Sequence, residues 1–236
     1  MRVFYLCFVF FLTVILSPIG LAANASNYPV KWTSELKLQS IKEIPDLLVS
    51  PTYVKSQVKY VTDNRAVHGI AKTCKDFFHF TKKGFVAESN REINAENQFI
   101  KSCDPLIYLL HAKPAKRSYI RNFNIQKDYG LLPAKMIFPN LGSGHQPRGT
   151  LKKAFPHAQV TIMNPTSITL SSKKDDMKTS VSVFAWGNFS GGGYDQMLIL
   201  IANHALLGTY HTYTPYVLTR KGANAPITVV KLPGQR

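Results

Sequence analysis

The chain has 236 residues, 45% of them hydrophobic, and 29 Lys+Arg against 13 Asp+Glu give a net charge of +16. That apolar share excludes a disordered, low-complexity chain, and the length suits one domain or a domain with a lobe. The basic excess points to anionic partners and leaves the fold undetermined.

Arg2 precedes an almost continuously apolar run over 3–16, and small residues follow in Gly20-Leu21-Ala22 and Ala23-Asn24-Ala25. This is the pattern of a secretory signal peptide over 1–22, with cleavage after Ala22 or Ala25. A retained anchor is the competing reading, opposed by a run shorter than the ~20 residues a spanning helix needs. Cys7 lies inside the apolar run, which argues against a lipoprotein. No later segment is long and apolar enough to span a bilayer, so an exported, soluble protein is expected, periplasmic or secreted. Only Arg2 among the charges leaves with the leader, so 28 Lys+Arg against 13 Asp+Glu keep the mature chain at +15. In an oxidising compartment the two remaining cysteines, Cys74 and Cys103, are expected to pair.

Residues 23–50 read as an N-terminal arm punctuated by Pro29 and Pro45, with a weakly amphipathic piece over 35–44. Residues 51–236 read as a single α+β domain. A short strand is expected over 53–61, followed by turn chemistry in Asp63-Asn64-Arg65. The segment 76–88, DFFHFTKKGFVAE, predicts a hairpin around Lys82-Lys83-Gly84, with His79 a structural residue on a strand face. Ser89 and Glu92 form an S-x-x-E capping box for a helix over 90–102, extending toward 110. Ile93, Phe99, Ile100 and Cys103 fall on its apolar face, and Asp104-Pro105 marks a break or restart.

Residues 113–153 are the least regular stretch and the most basic. Lys113, Lys116, Arg117, Arg121, Lys127, Lys135, Arg148, Lys152 and Lys153 stand against Asp128 alone, with Tyr119, Phe123, Tyr129 and Phe138 interleaved. Cations mixed with aromatics can grip a polyanion, and these nine are the candidate binding residues. A solvated basic loop is the competing reading. The partners expected are an anionic envelope polymer or lipid head groups, with nucleic acid second because no recognised nucleic-acid motif is present. Gly142-Ser143-Gly144-His145 lacks the frames of a P-loop and of a nucleophile elbow.

From 158 onward, strands are expected over 158–163, 167–171, 180–186, 197–202, 212–219 and 227–232. The gaps are too short for crossover helices, so the sheet should be largely antiparallel. The expected fold class is therefore α+β, a helix-and-hairpin N-terminal half packed on this sheet. No repeat of fixed period appears.

Between two of these strands lies Asn188-Phe189-Ser190-Gly191-Gly192-Gly193-Tyr194-Asp195-Gln196. It resembles the D-x-N-G-D-G-x-E-D loop of FG-GAP and VCBS-like β proteins. Together with Gly208-Thr209, Tyr213, Tyr216 and Leu218-Thr219-Arg220, it also resembles the C-terminal part of uncharacterised secreted bacterial proteins. The resemblance implies ligand positions for calcium at Asn188, Ser190, Gly192 and Gln196, with Asp195 one step off register. The carboxylates a hard cation needs are missing, so a degenerate turn without metal is expected.

Asp195, His204 and His211 are the nearest residues to an acid–base or metal site, but His-x6-His across a loop is not a ligand signature. The expectation is thus a binding or envelope-interaction protein with a basic surface, without catalytic activity or cofactor. The alternative is an enzyme acting on a cell-envelope polymer near His204, His211 and Asp195.

Overall fold

The computed structural model describes residues 28–62, 64, 66–137, 147–173, 177–205 and 211–230. Residues 1–22 (read as a signal peptide), Asp63 and Arg65 of the expected turn, Phe138, the Gly142–His145 tract and Gly208-Thr209 lie outside the described residues. Chain order begins with β1 (Lys31–Trp32), two 3-10 turns at Ser34–Leu36 and Ile41–Glu43, α1 (Ile44–Val49) and α2 (Pro51–Val54). A small antiparallel sheet follows, built from β2 (Val58–Val61), β3 (Val67–Ala71) and β4 (Val86–Ala87), with α3 (Cys74–Lys82) between the last two. α4 (Asn90–Leu110) leads to α5 (Ile125–Asp128), 3-10 turns at Tyr129–Leu131 and Ala134–Met136, and α6 (Leu151–Ala154). The main sheet closes the chain: β5 (Gln159–Asn164), β6 (Ser167–Ser172), β7 (Met177–Gly187), β8 (Gln196–Ala205), β9 (His211–Thr219) and β10 (Thr228–Val230). All six pair in sequence order and antiparallel, giving an α+β fold.

The hairpin of the N-terminal half is β2–β3, not residues 76–88. Residues 74–82 are helical because both ends are capped. Thr73 Oγ1 accepts from Asp76 N at 3.1 Å, and Asp76 Oδ2 accepts from Thr73 N at 3.0 Å, a reciprocal capping box. At the far end Gly84, at φ +78°, donates to Thr81 O, while Phe85 N reaches Phe80 O at 3.2 Å. That is a Schellman stop, sealed by Phe80 and Phe85 with ring centres 5.9 Å apart. His79 therefore sits on a helix. The strand expected over 53–61 divides into α2 and β2.

α4 runs through Asp104-Pro105 unbroken. Proline forfeits one helical hydrogen bond there, but the helix is buried against different cores on either side. Phe99 and Cys103 join Val58, Tyr60, Ala71, Cys74 and Phe77 around the small sheet. Leu106 and Leu109 join Leu36, Ile44, Leu198, Leu200 and Val217 on the main sheet. Cys74 and Cys103 form a disulfide, Cα atoms 5.5 Å apart, fastening α3 to α4. The expected capping box at Ser89 forms by half: Ser89 Oγ accepts from Glu92 N, but Glu92 Oε2 turns to Lys59 N at 2.7 Å.

Both faces of the main sheet are covered, which is why β8 reads as a continuous apolar run rather than an alternating one. Met197, Ile199 and Ile201 face one layer, and Leu198 and Leu200 the other. β7 shifts register between Val183 and Ala185. At that bulge its edge passes from β6 to β1, with Lys31 opposite Trp186. The arm is thereby built into the sheet. No helix among the described residues is long and apolar enough to cross a membrane.

Candidate functional site

The layer over the Met197/Ile199/Ile201 face is the basic segment itself. Three of the short elements in it place apolar side chains inward and cations outward. α5 buries Ile125 and exposes Lys127. The turn at Ala134–Met136 buries Ala134 and Met136 and exposes Lys135. α6 buries Leu151 and exposes Lys152 and Lys153. Lys113, Lys116, Arg117 and Arg148 are exposed as well. Burial of Ile120, Ile125, Leu132, Met136, Ile137 and Leu151 against β6, β7 and β8 thus fixes the backbone that carries eight outward charges.

Nothing among the described residues neutralises those eight. The ion pairs found there are Lys59–Glu88 and Arg121–Asp195. Carboxylates are spent on neutral donors instead. Asp128, the segment's one acid, accepts from Asn124 N at 2.8 Å. Glu96 holds the Tyr60 hydroxyl at 2.8 Å, and Glu35 accepts from Asn164 Nδ2 at 2.9 Å.

Arg121, the ninth candidate, points elsewhere. Its Nε and Nη2 donate to Asp195 Oδ2 and Oδ1 at 2.6 and 2.9 Å, and Ser118 Oγ donates to Oδ2 at 2.9 Å. Nη2 also donates to Pro29 O at 2.9 Å, and the guanidinium lies 5.7 Å from the Tyr28 ring centre. The Asp195 side chain has no exposed surface and that of Arg121 only 17%. The pair ties the arm, the basic segment and the 188–196 loop together. It was not legible in the sequence, because 74 positions separate its members and no local pattern links them.

The interleaved aromatics divide. Phe123 and Tyr129 pack against the core, while Tyr119 is 42% exposed and faces Tyr194 at 6.4 Å.

In the 188–196 loop two of the four positions that would ligate calcium, Ser190 and Gln196, are engaged with each other and with the loop backbone. Gln196 Oε1 accepts from Phe189 N and Ser190 N at 2.8 and 3.0 Å, and its Nε2 donates to Ser190 Oγ at 2.6 Å. Asn188 Oδ1 is buried and unpartnered, and Gly192 offers no side chain. Gly191 and Gly193 take positive φ, +81° and +76°, and Gly193 O accepts from both Lys116 N and Arg117 N. An amide fills the loop and its neighbouring carboxylate is bound to arginine, so the residues do not fit a calcium ion wanting six to eight oxygens.

His204 and His211 come together, directly opposite across β8 and β9, with ring centres 5.4 Å apart. Burial first, then the positive charge of His211 and Lys178, hold His204 below the usual imidazole range. Asp195 is not with them. It precedes β8 whereas His204 stands near the end of that strand. At about 3.3 Å per residue that is on the order of 30 Å away. Asp195 is therefore too far away to orient either histidine as a base.

No protein-family model, no curated protein and no solved structure matches the chain.

Proposed function

We propose that this is an exported protein whose outward cationic layer binds the anionic phosphates of an envelope polymer or of lipid head groups. The observation that carries the reading is the segregation just described. Eight exposed cations ride on a backbone anchored by buried apolar residues, and no described carboxylate pairs with them. A merely solvated loop has no reason to be held flat against a core. Point charges suffice for phosphate, whereas single-stranded nucleic acid calls for a row of exposed stacking rings, and here Phe123 and Tyr129 are turned inward. The leader pattern over 1–22 and the Cys74–Cys103 bridge support export. The 188–196 loop acts in this reading as a brace for Lys116 and Arg117.

The test is binding of the mature chain to anionic vesicles and to a soluble polyphosphate across a salt series. Affinity should fall steeply with salt as condensed counterions are released. Absence of binding at low salt, or binding indifferent to salt, overturns the proposal.

A further inference from the structure

The end of the main sheet remote from Arg121 and Asp195 carries an arrangement that polyanion binding does not use. Residues directly opposite in an antiparallel pair share a face, and the β8–β9 register sets His204 against His211. Their rings are 5.4 Å apart between centres and 17° from parallel, and both residues are partly exposed. Two imidazoles sharing one ion at ordinary metal–nitrogen distances have ring centres roughly 4.5–5 Å apart, the shorter for neighbouring positions of a tetragonal ion and the longer for a tetrahedral one. The terminal torsion of histidine is broad, so turning each ring about Cβ–Cγ brings one nitrogen of each toward the gap with the strands in place. Tyr213 stands edge-on to both rings, at 6.3 and 5.7 Å, and walls one side.

We propose that His204 and His211 form a two-histidine site for a borderline transition-metal dication, with copper(II) preferred over nickel(II) and zinc(II). Imidazole is the ligand type for these ions, and copper heads the affinity order at a given nitrogen site. The His-x6-His spacing does not reveal the site; the strand register makes it. No group of three His, Cys, Asp or Glu side chains suited to a metal exists among the described residues. Among the described residues the pair has no third protein ligand, which leaves coordination positions open to water or an outside ligand. Lys178 stands opposite His204 on β7, and the Lys101 ammonium on α4 lies 5.8 Å from the Tyr213 ring centre. Both repel a dication, so screening by salt should strengthen metal binding, the reverse of the phosphate response. Failure of one proposal is thereby distinguishable from failure of the other.

The experiment is substoichiometric copper(II) added to the full chain, read by imidazole proton resonances. Signals of His204 and His211 should broaden first among the seven histidines. H211N should weaken copper's effect on His204 about tenfold or more, since the second ligand acts at high effective concentration. H157N, at an exposed position before β5, should change nothing, and the circular dichroism of H211N should match the parent. Uniform broadening of all histidines, or His204 broadening that persists undiminished in a folded H211N, overturns the site.

Discussion

The Arg121 guanidinium is the counter-charge of a carboxylate that meets no water. Arg121→Ala strands Asp195 as a buried, uncompensated charge, a change that costs about 3–5 kcal/mol. Chemical denaturation should show that loss, while Lys116→Ala, at an exposed and unpaired cation, should stay within about 0.5 kcal/mol of the parent. Near-equal stability of the two variants would mean that the pair is relaxed by water. Charge reversal aimed at the basic surface therefore has to leave Arg121 in place. Tyrosines supply the pH dependence. Burial raises Tyr53 and Tyr216 above their ordinary value, so the native state keeps protons that the unfolded chain has lost. Stability from these groups is whole below about pH 10 and falls as pH climbs through their folded pKa values. Ultraviolet titration should show late-ionising tyrosines that merge with the rest in denaturant. One common transition in the native protein would contradict it.

At the scale of elements, α3 tests how its ends were built. Thr73→Ala removes one half of its capping box and should cost about 1 kcal/mol. Gly84→Ala puts a side chain where φ is +78° and should cost roughly 1–2 kcal/mol. A hairpin over 76–88 would not respond at Thr73. Residues 76–88 read as two strands because Phe77, Phe78, Phe80 and Phe85 are β-formers around a glycine. What decided the matter was Thr73-x-x-Asp76 ahead of them and a glycine placed to end a helix rather than to turn a hairpin. The strands after 158 were legible because turn residues bound each apolar run, and the antiparallel order followed from the short gaps. Pro105 misled for the opposite reason: two cores hold α4 continuous across a residue that ordinarily ends a helix. The exposed cations of 113–153 were legible from composition, but their anchoring was not, since the inward residues alternate over single turns too short for a period to show. The His204–His211 pair needed the register, which no local pattern encodes. Reduction of Cys74–Cys103 should loosen α3 from α4 and cost roughly 3–4 kcal/mol for a crosslink spanning 29 residues. Equal melting of the oxidised and reduced protein would count against it.

For the whole molecule, the arrangement is a sheet between two layers: α4 and the arm on one face, and a cation-bearing lid on the other. The 188–196 loop, which connects β7 to β8, holds that lid through Gly193 O, and calorimetry should detect no heat at millimolar calcium; micromolar affinity would show that Asn188 and backbone carbonyls suffice. In the proposed function, the location of the charge rather than its net amount makes the lid bind phosphate. The most direct test compares two triple variants of equal charge change in one salt series against polyphosphate. Lys113, Lys116 and Arg117 reversed to glutamate alter the lid beside the loop. Lys72, Lys82 and Lys83 reversed to glutamate alter exposed positions around α3, on the small-sheet side. The lid variant should lose most of its affinity and flatten the dependence of log affinity on log salt by about 0.7 for each contact removed. The α3 variant should keep both. Equal weakening by the two sets would contradict phosphate binding at the lid and leave only a general attraction of a basic protein for anions.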